Sequence, residues 1–202
     1  MSSLADLRYT PQEYYTIEQR DPWKNEFLNG VIRPMAHVNR YHCLIMGALI
    51  CELGNQLRER PEQVYASRLR FSVPATGLYT YPDVVVVRGK SEYNPAIPDT
   101  LTNPAVIVEI VSPESEAYDR GEKFWHYRRF ASLREYVLVA QDEPRVECFL
   151  RQNENGNQWI FSETRGLDAT ARLASLGCDL RLGEVYADVT FPSAGEETDR
   201  VR

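Results

Sequence analysis

The chain has 202 residues, 43% hydrophobic and 26% charged, the balance of an ordinary globular protein with length enough for one domain and a sizeable core. Its 11 Gly, 12 Pro, 3 Trp, 12 Tyr and 7 Phe exclude collagen, coiled coil and wholesale disorder. A net charge of −6 argues against a protein that coats nucleic acid non-specifically, while leaving room for one local basic patch.

Residues 1–25 read as a lead-in segment rich in Tyr, Pro and charge, with a short helix expected over Pro11–Gln19. The amino terminus shows no secretory pattern, and no apolar run approaches the roughly 18 residues of a membrane span, so a cytoplasmic protein without a membrane partner is expected. EFLNGVIRPMA reads as a hairpin turning at Asn29-Gly30. From Asn39 to Arg60, Tyr41, Leu44, Ile45, Ala48, Leu49, Leu53 and Leu57 recur at helical spacing, and Pro61 ends the run. VYASRLRFSV reads as one half-exposed strand, with Leu69, Phe71 and Val73 inward and Arg68, Arg70 and Ser72 outward. PDVVVVRG and PAVIVEIVS are continuous β-branched runs, as in strands covered on both faces.

SPESEAYDRGEKFWHYRRFASL reads as one helix, capped at Ser112-Pro113 or Ser115. Ala117, Gly121, Phe124, Tyr127 and Ala131 form its packing face, which leaves His126 on the surface. EYVLVA is a further buried strand, RVECFLRQNENGNQWIFSET reads as a hairpin turning at Asn155-Gly156, and VYADVTF closes the fold. Residues 193–202 read as a flexible acidic tail, which makes residues 26–192 a single domain. The fold class is α/β (α+β), a mixed central sheet flanked by helices with an antiparallel C-terminal extension. Cys43, Cys51, Cys148 and Cys178 lack zinc-like spacing with the three histidines and read as reduced core thiols.

Glu109 interrupts a run that is otherwise apolar from Ala105 to Val111. A carboxylate in a buried strand costs several kcal/mol unless it is paired, protonated or metal-bound. Asp83 opens PDVVVV, and if the two runs pair, Asp83 and Glu109 converge at one sheet end. Two carboxylates that close resist joint ionisation without a cation between them. Mg²⁺ suits such a pair, being held by one or two carboxylates plus waters and phosphate oxygens. Lys123 follows Asp119 by one turn. That spacing is an ordinary surface pair, or else Lys123 reaches over the sheet end to orient a water and offset phosphate charge. His42 reads as a satisfied helix-packing histidine. Arg120, Arg128, Arg129 and Arg134, with Arg68 and Arg70, read as a solvated surface or as a phosphate-facing patch. RGEK lacks P-loop spacing, and neither a Ser-His-Asp set nor a G-x-S-x-G elbow is present.

PDVVVV, then PAVIVEIVSP, then DRGEKF followed by Tyr127, and the strand YVLV together resemble the Uma-type restriction endonuclease family, part of the PD-(D/E)XK nuclease superfamily. The resemblance runs from roughly Glu26 to Val189 and implies a restriction-endonuclease-like core. It also implies a metal-dependent endodeoxyribonuclease, with DNA as substrate, Mg²⁺ as cofactor (Mn²⁺ substituting) and a homodimer as the assembly. Asp83 matches the first motif's aspartate and Glu109 the second motif's acid. Val111 stands where the superfamily usually has its lysine, a departure that resembles the family's own pattern of a lysine moved to the next helix, here Lys123. Glu26 resembles an early glutamate of the family, and Asn29 stands where the family more often has aspartate. The implied metal ligands are Asp83, Glu109 and the Ile110 carbonyl; Lys123 and Glu26 complete the implied catalytic set. A module that keeps the fold but only binds nucleic acid or assembles is the alternative, distinguished by binding that ignores Mg²⁺ and Glu109. Substrate or partner contacts are expected at Pro95–Pro104 and the carboxy-terminal hairpins.

Overall fold

The structure is a computed structural model that describes residues 8–36, 38–66, 68–153 and 157–191. The expected turn at Asn155-Gly156 and the tail over 193–202 lie outside the described residues.

Helix α1 (Pro11–Glu18) forms where expected. Thr10 accepts the Glu13 N–H at 3.2 Å, and the Glu13 carboxylate accepts the Thr10 N–H at 2.7 Å, so two orphan donors are satisfied reciprocally with Pro11 in the first turn. Tyr14 of this helix stacks on Phe27 at 5.1 Å. Phe27 belongs to the hairpin β1 (Asn25–Leu28) and β2 (Val31–Pro34), which turns at Asn29 (φ 50°) and Gly30 (φ 88°), the two left-handed residues of a type I′ turn. Helix α2 (Arg40–Leu57) starts with the Asn39 side chain accepting the His42 N–H.

The strands that follow are β3 (Glu62–Ala66), β4 (Arg70–Val73), β5 (Leu78–Thr80), β6 (Val84–Arg88), β7 (Thr100–Leu101) and β8 (Val106–Val111). Then come α3 (Glu116–Tyr118), a π-helical turn (Asp119–Lys123) and α4 (Phe124–Tyr127). The chain continues through β9 (Glu135–Ala140), β10 (Arg145–Arg151), β11 (Trp159–Arg165), β12 (Thr170–Leu173), β13 (Cys178–Arg181) and α5 (Leu182–Val185).

Among the described residues the strands form a six-stranded sheet ordered β11-β10-β9-β8-β6-β3, a five-stranded sheet ordered β2-β1-β5-β4-β7, and the pair β12-β13. In the larger sheet β8 and β9 are parallel and the other neighbours antiparallel, so the central sheet is mixed. Its two faces are both apolar because β6 and β8 are β-branched apart from Arg88 and Glu109. Val84, Val86, Val106, Val108 and Ile110 meet Ile45, Leu49, Leu53 and Leu57 of α2, with β12, β13 and α5 alongside. On the other face Val85, Val87, Ile107 and Val111 meet Phe71 and Leu78 of the smaller sheet and Tyr127 of α4.

Several expectations are corrected. VYASRLRFSV is two strands in different sheets, because Arg68 takes a left-handed φ of 96° between them. Arg70 is consequently buried, with its Nε 2.9 Å from the Tyr81 hydroxyl and its guanidinium over the Tyr15 ring. The helix after β8 is shorter than expected, and its π turn accommodates an extra residue, so the buried positions are Asp119, Lys123, His126 and Tyr127, while Ala117, Gly121 and Ala131 are exposed. His126 is therefore interior. On α2 the contact is a strict four-residue stripe, which leaves Leu44 and both Cys43 and Cys51 exposed; only Cys148 and Cys178 are core thiols. VYADVTF closes the fold from the end of α5, whose last residue is Val185 and whose cap is Tyr186.

Candidate active site

The antiparallel register Val84↔Val108, carried one residue further, sets Asp83 across from Glu109. Asp83 is pinned from two sides: its Oδ2 accepts the Ile110 N–H at 2.8 Å, and its Oδ1 lies 2.9 Å from Nε2 of His42 on α2. Glu109, 3% exposed, alternates with Ile107 and Val111 and so emerges on the face covered by α4. There its Oε1 accepts the Tyr127 hydroxyl at 2.8 Å and stands 3.0 Å from Lys123 Nζ.

Lys123 is the hub. Its ammonium is 3.0 Å from Glu109, 3.1 Å from Asp119 and 3.7 Å from Glu26. The Asp119–Lys123 pair exists at the expected spacing but is buried, not on the surface. Tyr136 donates its hydroxyl to the Asp119 carbonyl at 3.0 Å, which anchors the π turn that aims Lys123 inward. Glu26 arrives from the other sheet on β1, with Oε2 accepting the Tyr118 hydroxyl at 2.7 Å and Oε1 accepting the Thr80 hydroxyl. All four sequence-expected side chains, Glu26, Asp83, Glu109 and Lys123, line one cleft of ≈ 540 Å³, and Ile110 lines it with them. None of residues 95–104 lines it.

Charge dominates this cleft. Burial pushes the Glu109 carboxyl up to about 8; the Lys123 ammonium pulls it back, and Asp83 and Asp119 push it further up. Burial works to lower Lys123, but Glu109, Asp119 and Glu26 outweigh it and hold the ammonium well above its ordinary range. Lys123 is therefore a permanent cation near neutrality, a donor and not a base. In the sequence His42 reads as a packing residue, and nothing marks Gln141. His42 is indeed satisfied, but by Asp83, and Gln141 lines the same cleft with a buried Oε1 that has no hydrogen-bond partner. A histidine in an amphipathic helix and a glutamine after a strand carry no signal until the topology brings them here.

The donor set fits a hard divalent cation. Asp83 and Glu109 stand across from each other at one sheet end, with the Asp83 charge pushing Glu109 up, and the Gln141 Oε1, buried without a hydrogen-bond partner among the described residues, calls for a donor such as a water. Among the described residues no group of three or more His, Cys, Asp or Glu forms a preformed cage. Mg²⁺ needs none, since it keeps several waters and takes one or two carboxylates plus phosphate oxygens.

Comparison with known proteins fits this geometry. Residues 11–196 match the model of a family, Uma2, described as "putative restriction endonuclease". The chain belongs to the Uma2 family. Two relatives from Synechocystis are described as uncharacterized proteins: sll1609, 30% identical over 160 residues (79% of this chain, 89% of its own), and slr1290, 28% identical over 184 residues (91% and 94%). The crystal structure of a "putative nuclease belonging to DUF820" from Anabaena variabilis matches with a TM-score of 0.69 at 17% identity, over 89% of this chain and 98% of that one. At that identity the likeness is one of fold, and the fold is restriction-endonuclease-like.

Proposed function

We propose that this Uma2 protein is a Mg²⁺-dependent nuclease that hydrolyses DNA phosphodiester bonds in the cleft around Asp83 and Glu109, with Mn²⁺ as a substitute. The observation that carries the reading is the buried Lys123 ammonium 3.0 Å from Glu109, which itself stands across from Asp83 at one sheet end. In this reading Asp83, Glu109 and the Ile110 carbonyl hold the cation. When bound, the cation lowers the pKa of a water and offsets charge on the phosphoryl oxygens. His42 and the Ile110 N–H fix the orientation of Asp83, and the Tyr127 hydroxyl fixes Glu109. Lys123, with three N–H donors and a stable positive charge, orients the attacking water and stabilises charge that develops on the phosphorus oxygens. Glu26 and Tyr118 hold the far side of Lys123; burial and the Glu26 carboxylate raise the Tyr118 hydroxyl, so it remains a donor.

The test is a calorimetric titration of Mg²⁺ and Mn²⁺ into wild type, Glu109→Ala and Lys123→Ala, paired with nicking of supercoiled DNA. Wild type should bind the cation and nick. Glu109→Ala should lose both. Lys123→Ala should retain binding and lose about 10²-fold or more of the rate, as removal of one preorganised charge-stabilising donor does. Absence of cation binding by wild type would sink the proposal. DNA binding that ignores both Mg²⁺ and Glu109 would replace it with a non-catalytic module.

A further inference from the structure

The structure sorts the arginines that the sequence offered as one patch. Arg120 is paired with Glu116 and Glu147, and Arg70 is buried among tyrosines. Arg68 lies apart on the β3–β4 connection; Arg128 and Arg129 stand at the end of α4, and Arg151 at the end of β10 joins them: it donates from Nη2 to the carbonyls of Arg128 at 2.7 Å and Phe130 at 3.0 Å. Among the described residues none of these three guanidinium groups forms an ion pair, whereas Arg145 and Arg165, at the other end of the β10–β11 pair, are tied into carboxylate networks. Burial and the neighbouring Arg134 guanidinium hold Arg151 below its ordinary value, and its Nε is buried without a partner. Like charges have thus been gathered in a protein whose net charge is −6.

Aromatic rings alternate with these cations. The Arg129 guanidinium lies 4.8 Å from the Trp125 ring centre, and Arg151 lies 4.6 Å from that of Trp159. Trp159 is held edge-on by Phe124 at 5.2 Å. Two residues along the same face of β11, Phe161 is 52% exposed and packs on Phe149 at 5.2 Å; Trp125 is 43% exposed. Capping of the α4 carbonyls accounts for Arg151. It accounts for neither Arg129 nor the two open rings.

We propose that this face binds an unpaired nucleic-acid strand, with phosphates against Arg128 and Arg129 and bases stacked on Trp125 and Phe161. Guanidinium groups interleaved with exposed rings suit a polyanion whose π-faces are free, and in a duplex those faces are already stacked. The inference rests on the nuclease reading in one respect: it names the substrate of that cleft as single-stranded or locally opened DNA. Arg128 lies five residues past Lys123 on one helical run, about 8 Å along the axis, so a strand leaving the cleft reaches the patch within a few nucleotides.

The experiment is fluorescence anisotropy of a labelled oligo(dT) of about 20 nucleotides with the full chain in EDTA, where no cleavage or cation binding intervenes. Trp125→Ala and Phe161→Ala should each weaken binding fivefold or more, and Arg129→Ala should flatten the dependence on log salt by about 0.7. Thermal melting of the same variants shows that they fold. Unchanged oligo(dT) affinity in all three variants would overturn the patch, whatever the cation titration shows. A duplex of equal length bound as tightly would overturn the unpaired strand. Poly-glutamate competing as well as DNA would reassign the face to an acidic protein. If strand binding follows the patch while wild type binds no cation, the patch stands and the nuclease reading falls.

Discussion

Glu109 is buried beside Lys123 and Tyr127 in a place that keeps its proton on up to about pH 8, and this sets the pH response of the metal-free protein. In the unfolded chain the carboxyl releases its proton near 4.5, and in the folded chain at about 8. Between these values the folded state binds more protons than the unfolded one, so stability falls as pH rises through that window. The raised Lys123 acts elsewhere: its contribution is complete below 10.5 and declines only above. Melting in EDTA should therefore show wild type losing stability from pH 5 to 8 by more than Glu109→Gln does, with the variant the more stable at pH 8. Parallel curves would show that Glu109 is not crowded. At this scale Glu109 was legible in the pattern, because a carboxylate inside an apolar run is a physical conflict, and Asp83 and Lys123 were legible by their spacing to it, whereas Glu26 came only with the family resemblance. His42 and Gln141 were not, since nothing about their neighbours in sequence is unusual.

Elements were read well where one period governs them, and poorly where a single backbone residue breaks it. The helix α2 and the buried strands β6 and β8 form where their apolar patterns place them. The π turn over Asp119–Lys123 does not, because a face assigned at 3.6 residues per turn slips once an extra residue is accommodated. Arg68 likewise breaks one apparent strand into two, and no side-chain pattern encodes its φ of 96°. The β1–β2 hairpin is the favourable case, with Asn29-Gly30 legible as its turn and Glu26 carried on its first strand. At Gly30 an added Cβ would combine a φ of 88° with an approach of 2.8 Å to Arg8 Cβ. Gly30→Ala should cost more than about 1 kcal/mol in chemical denaturation and weaken Mg²⁺ binding with it, since the hairpin carries one wall of the cleft. Full stability in the variant would show that the turn tolerates a side chain.

Across the molecule, the order of the main elements and the mixed sheet were legible, whereas the second sheet was not. β5 and β7 are three and two residues long, too short for any period to register, yet they complete the surface that carries Glu26 to the cleft. The cleft draws Glu26 from one sheet and Asp83 and Glu109 from the other, and a cation held by Asp83, Glu109 and the Ile110 carbonyl should stabilise the folded chain. Mg²⁺ at about 100 times its Kd should add about 2.7 kcal/mol, read as a higher Tm in wild type and no shift in Glu109→Ala. No helix among the described residues is long and apolar enough to cross a membrane.

The parallel pairing of β8 and β9 has an evolutionary consequence. Parallel neighbours oblige the chain to travel back over the sheet between them, and here that return journey passes above Glu109. A cation above the glutamate can thus be written at two addresses in the text of the chain, two residues along the strand or on the return path, and arrive at the same point in space. Val111 occupies the first address and Lys123 the second. Such a relocation asks for no change of topology, so relatives that look broken when their motifs are compared letter by letter can carry the same charge in the same place.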